Sequence, residues 1–151
     1  MEKDQAPPLL YRLAPHDPAG HRYRITLTIP APSPGGQRLS LPAWIPGSYL
    51  IRDFSRQIES LAAYSARGAW RSTRPTTIPG RPRPATVRCG WSTWSTPGTC
   101  RCAARTWTRP TVFFNGTSVF LRVHGQDHLP CLVDLAPPRG IDGWKVYTSL
   151  P

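Results

Sequence analysis

Between Arg22 and Ile29 the chain reads RYRITLTI, with Tyr23, Ile25, Leu27 and Ile29 alternating against Arg22, Arg24, Thr26 and Thr28. Successive side chains of a strand point to opposite faces, so this run is a strand with one buried and one wet surface. Much of the remaining sequence obeys the same period. Pro30 to Gly36 is a turn-rich break, after which Leu39 and Leu41 stand two apart. Pro46–Gly47 sets a further turn. VFFNGTSVFLRV, Val112 to Val123, carries Asn115–Gly116 between β-forming runs, which predicts a hairpin. CLVDL places Cys131, Val133 and Leu135 on one face, and WKVY, Trp144 to Tyr147, is also strand-like. Only DFSRQIESLAAYS departs from the pattern. Phe54, Ile58 and Leu61 recur at helical spacing there, with Ala62 and Ala63 favouring a helix. Nineteen prolines and twelve glycines in 151 residues oppose a mostly helical fold. The expectation is a single mainly β domain, an antiparallel sandwich-like layer structure, with residues 1–10 as a flexible tail.

The formal charge of +11 is very unevenly distributed. Arg71 to Thr111 holds eight arginines and no acid, so that segment alone supplies +8 and the rest of the chain +3. An excess confined to one segment says little about the fold as a whole. An N-terminus reading MEKDQAPPLLYRL lacks a basic start followed by an apolar run, and no stretch reaches the roughly 18 apolar residues needed to cross a bilayer. The expected setting is cytoplasmic, with no membrane partner and the four cysteines as thiols.

YRLAPHDPAGHRYRITLTI, LSLPAWIPGSYLIRDFSRQI and FFNGTSVFLRVHGQ…PCLVDL, closing on WKVYTSLP, resemble the N-terminal domain of the bacterial glycyl aminopeptidase family of zinc metallopeptidases. The resemblance covers about 110 of the 151 residues in the family's order, and Leu41 to Phe54 is its most specific part. It implies a non-catalytic β domain whose partner is a thermolysin-like catalytic domain, with peptide substrate bound only in that context. It also tips Phe54 to Ser65 toward strand. Zinc is implied for the catalytic domain and no cofactor for this chain, because the family's H-E-x-x-H signature is absent. The nearest match, HGQDH from His124 to His128, has the i, i+4 spacing without the Glu and with Gly in second place, and reads as a loop with solvated histidines. Tyr49, Arg52 and Asp53 are candidates for the interdomain interface or substrate cleft. Trp44, Pro46, Gly47, Phe54, Asn115 and Gly116 are structural, with Trp44, Ile45 and Phe54 filling core.

The resemblance lapses between about Trp70 and Val112 and then resumes. Arg88 to Pro110 holds three tryptophans and three cysteines but no Leu, Ile, Phe, Asp or Glu. Family members carry a stretch of equal length here, resembling RVEYVVYAWDLSVRGAHLDQTHG before FFNG. Trp107 is TGG and Thr108 begins AC, so a one-base shift reads GAC, the Asp of that stretch. Trp94–Ser95 allows only Val or Glu in the shifted frame, and Val fits. The segment therefore reads as the same gene stretch in a shifted frame between compensating slips near Ala69–Trp70 and Thr111–Val112, which predicts irregular structure over 71–111. The alternative is a small basic nucleic-acid-binding module, with arginines on phosphates and tryptophans stacked on bases. Cys89, Cys100 and Cys102 lack the paired spacing of a zinc fold.

Overall fold

The computed structural model describes residues 6–17, 22–44, 49, 51, 54–65, 68–72, 77–78, 85–92, 114–138, 140 and 142–148. These residues form nine strands and one short helix: β1 (Leu9–Asp17), β2 (Arg22–Ile29), β3 (Gln37–Ser40), β4 (Ile58–Ser65), β5 (Gly68–Ser72), β6 (Thr77–Ile78), β7 (Ala85–Ser92), α1 (Gly116–Val119), β8 (Arg122–Val123) and β9 (Cys131–Leu135). Six strands make the larger sheet, in the order β5-β4-β7-β2-β1-β9, and three make the smaller, β6-β3-β8. Every pairing is antiparallel except that of β9 with β1.

The alternation of β2 is realised as expected: Tyr23, Ile25, Leu27 and Ile29 are buried and Arg22 and Arg24 exposed. They join Leu9, Tyr11 and Leu13 of β1, Ile58, Leu61 and Ala63 of β4, Leu39 of β3, and Val119, Leu121 and Val123 from the α1–β8 region in one core. Residues of both sheets thus share an interior, as the mainly β layered expectation requires. Fully burying side chains of this kind stabilises the fold by about 1.5–3 kcal/mol each, before the entropy of ordering them is subtracted.

Four expectations are corrected, and the strand expected over Phe54 to Ser65 is met from Ile58 on. Leu9 and Leu10, placed in the flexible tail, instead begin β1, with Leu9 buried. Pro15 and His16 disguised that strand in the sequence. They sit where the β1–β2 register shifts between Pro15 and Asp17, the kind of irregularity in which a proline is tolerated. Phe54 to Ser65 is a 3-10 turn (Phe54–Gln57) followed by strand β4. Its helical look comes from a register shift between Ile58 and Ser60, which carries the buried set from Ile58 to Leu61 and Ala63.

Asn115–Gly116 makes no hairpin. Asn115, at φ −99°, caps α1, its Oδ1 accepting from the Thr117 backbone N–H at 3.0 Å and from Thr117 Oγ1 at 2.6 Å. Trp144 to Tyr147 belongs to no strand, and Val146 and Tyr147 are exposed. Within 71–111, expected to be irregular, Thr77–Ile78 and Ala85–Ser92 are strands, and β7 lies inside the large sheet between β2 and β4. Residues 93–111 lie outside the described residues.

Candidate interface loop

β3 leads into the most specific stretch of the sequence, of which residues 41–44, 49, 51 and 54 are described. Its base is anchored on both sides: Leu39 is buried, Leu41 packs against the core, and Phe54 is buried at the other end. Among the described residues between these anchors, Trp44, Tyr49 and Ile51 are exposed. Trp44 is 53% exposed, Ile51 84%, and Tyr49 fully so. Trp44 therefore does not fill core, contrary to expectation, whereas Phe54 does. Arg52, Asp53, Ile45, Pro46 and Gly47 lie outside the described residues. Of the three candidate interface residues the structure thus describes Tyr49, and it places that side chain in solvent.

A buried polar knot holds the β3 end of the loop. Gln37, 1% exposed, spends both ends of its amide: Nε2 donates to the Arg38 carbonyl at 3.2 Å and the His124 carbonyl at 2.9 Å, while Oε1 accepts from the Ser33 backbone N–H at 3.1 Å. Gln126 Nε2 donates to the same Oε1 at 3.1 Å and to the Ala31 carbonyl at 2.6 Å. Ser40 Oγ and His124 Nε2 lie 2.7 Å apart, tying the last residue of β3 to the turn after β8. Buried amides without partners are costly, so this set fixes one arrangement of the 31–40 segment against residues 124–126. Sequence reasoning missed both glutamines. Their only trace was two polar residues beside strand-forming runs, a pattern shared with any loop.

His124 is consequently no solvated loop histidine, whereas His128 is exposed. Between them Gly125 takes φ +81° in a tight turn, and Arg122 donates from Nε to Asp127 Oδ1 at 2.7 Å and from Nη2 to Oδ2 at 3.0 Å. That guanidinium holds the Asp127 carboxyl below its usual range, chiefly through the hydrogen bonds. Among the described residues no three of His, Cys, Asp and Glu converge as metal ligands. This donor set does not fit zinc: one imidazole is tied to Ser40 and the carboxylate is engaged by Arg122. What the geometry offers is a firmly based loop presenting aromatic and aliphatic side chains to solvent, an arrangement suited to burial against another surface.

Over residues 10–151 the chain matches the family described as the Peptidase M61 N-terminal domain. Among solved structures it is similar to an aminopeptidase N family protein from Idiomarina loihiensis, with a TM-score of 0.68 and 32% identity. That match covers 87% of this chain and 22% of the Idiomarina chain. Comparison with curated proteins gives no match. No described helix is long and apolar enough to cross a membrane.

Proposed function

This chain belongs to the Peptidase M61 N-terminal domain family, and we propose that it is a non-catalytic module that packs through its 41–53 loop against the catalytic domain of a glycyl aminopeptidase-like zinc metallopeptidase, in the cytoplasm. The exposure of Tyr49 and Ile51 carries the reading. A chain that buries the alternating apolar residues of β1 and β2 leaves a tyrosine, an isoleucine and part of a tryptophan in water within one loop. The matched protein is about four times this length, and the part of it outside the match is where the partner of such a loop is to be sought. Peptide binding and zinc then belong to that partner, and Arg52 and Asp53, which follow Ile51 in the sequence, are assigned to the same contact.

The test is direct binding to the part of the Idiomarina protein outside the match, followed by surface plasmon resonance. Y49A and I51D should each weaken binding at least tenfold, about 1.4 kcal/mol, as aromatic and aliphatic anchors at an interface do. No detectable binding by the unaltered chain, or equal binding by both variants, would remove the proposal.

The stretch from about Trp70 to Val112 we read as family sequence in a shifted frame. The pairing of β7 supports that reading in one respect: Gly90 stands mid-strand, opposite both Arg24 and Ser60, with strands on either side. Glycine there forgoes a side chain to pack and costs backbone entropy. The coding DNA around Ala69 and Val112 decides the matter, since compensating one-base changes must appear there. The competing nucleic-acid reading is disfavoured by Ala85–Ser92 being paired along both edges. A steep loss of DNA binding as salt rises would revive it.

A further inference from the structure

Strand β9 closes one side of the large sheet, and its outer edge is unpaired among the described residues. Which backbone groups face outward follows from two hydrogen bonds. Leu9 N–H donates to the Pro130 carbonyl and Ala136 N–H to the Leu13 carbonyl, both at 2.9 Å, with unbroken parallel register from Leu9↔Cys131 to Leu13↔Leu135 between them. In a parallel ladder alternate residues serve the same neighbour, so Leu132 and Asp134 bond to β1. The N–H and C=O groups of Cys131, Val133 and Leu135 point away from the sheet.

Exposed edges are ordinarily protected by lysine, proline, a bulge or an inward charge. CLVDL has none of these. Its one charge, Asp134, is engaged by Arg12 of its own chain at 3.3 Å. Beside that pair, Leu132 is 55% exposed and lies in register with Leu10, 40% exposed, forming an apolar patch at the rim.

We propose that this edge is a seam for a second copy of the chain, β9 pairing antiparallel with β9 about a twofold axis through Val133. The strand is self-complementary in that register. Val133 meets Val133 of the second copy and Cys131 meets Leu135, so each outward residue faces another outward residue and exchanges both hydrogen bonds. Leu132 falls opposite Asp134 of the second copy, so the two carboxylates are not directly opposed, and each keeps its Arg12. Val133 and Leu135, which pack on the core, extend that apolar layer across the seam. The proposal is independent of the contact assigned to the 41–53 loop.

Sedimentation of the full 151-residue chain should report a dimer at micromolar concentration. With Cys89, Cys100, Cys102 and Cys131 replaced by serine, V133C should form a disulfide-linked dimer on mild oxidation, because hydrogen-bonded antiparallel partners lie about 5.5 Å apart at Cα, inside the bridging range. L132C should not, because the two copies of that position lie about 8 Å apart. V133P should be monomeric with an unchanged circular dichroism spectrum, since that N–H serves only the outer edge. In the unaltered chain, the amides of Cys131, Val133 and Leu135 should exchange more slowly as concentration rises. A monomeric unaltered chain, equal cross-linking at both positions, a dimeric V133P, or edge amides protected regardless of concentration would each overturn the seam.

Discussion

Tyr11 and Tyr23 put phenols at the edge of an apolar interior. Tyr11 donates its hydroxyl proton to the Leu121 carbonyl at 2.7 Å and rests edge-on against Phe120, the ring centroids 5.2 Å apart. Tyr23 meets Phe114 at 6.1 Å, and Phe114 meets Phe120 at 6.0 Å, so the rings link β1, β2 and the α1 region. Burial raises both phenols, Tyr11 well above the ordinary tyrosine value and Tyr23 to about 12. Below the unfolded value of 10.0 both states keep the proton and stability is unaffected. As pH climbs from there toward about 12, the unfolded chain ionises first and stability falls. Urea midpoints measured across that window should decline with pH, and Y23F should flatten the decline. Y11F should flatten it too while costing about 1–3 kcal/mol at neutral pH, because it strands a buried carbonyl. No local pattern distinguished these two tyrosines from any other inward residue of a strand. The partner of Tyr11 lies 110 positions away.

Elements departed from their sequence signals where a short-range pattern had two physical solutions. Asn-Gly favours a hairpin when both residues can take positive φ, but the Asn115 side chain can also cap a helix, and in this context capping prevailed. Packing explains the choice: Val119 is buried, and Phe120 joins the aromatic chain only once the turn of α1 has rotated it inward. N115A should therefore cost about 1 kcal/mol, read as a lower urea midpoint with an unchanged slope. β4 shows the converse ambiguity. Ile58 and Leu61 stand three apart because the register shifts beside Glu59, whose carboxylate lies 3.2 Å from Arg22 Nε. An irregular strand thereby imitates a helix, and periodicity alone cannot separate the two. Trp144–Tyr147 has strand composition yet joins no sheet among the described residues; β propensity reflects packing on a half-buried surface, and Lys145, Val146 and Tyr147 are exposed.

At the scale of the molecule, the large sheet depends on β7, which pairs with β2 over eight positions and bridges it to β4 and β5. If residues 70–112 are out of frame, restoring the frame would put the alternating RVEYVVYAW in place of the residues from about Cys89–Gly90 onward, its first residues falling in the last part of β7. The restored chain should then unfold several degrees higher in a thermal melt, since a change of about 1 kcal/mol shifts the midpoint by roughly 2–8 °C in domains of this size range. An unchanged or lower midpoint would show that the present residues suit the position. By itself the sequence determined the strand character of β2, the inward set of Tyr23, Ile25, Leu27 and Ile29, and the family resemblance of the 41–54 block. Each of these lies within a few neighbouring residues, where side-chain alternation or a rare motif leaves little freedom. Tertiary structure alone decided that β9 would run parallel to β1 at an edge unpaired among the described residues, that Gln37 and Gln126 would join in a buried knot, and that Trp44 would be half exposed while Phe54 turned in. Those outcomes depend on groups brought together from distant parts of the chain, whose hydrogen bonds and packing become defined only when the sheets have formed.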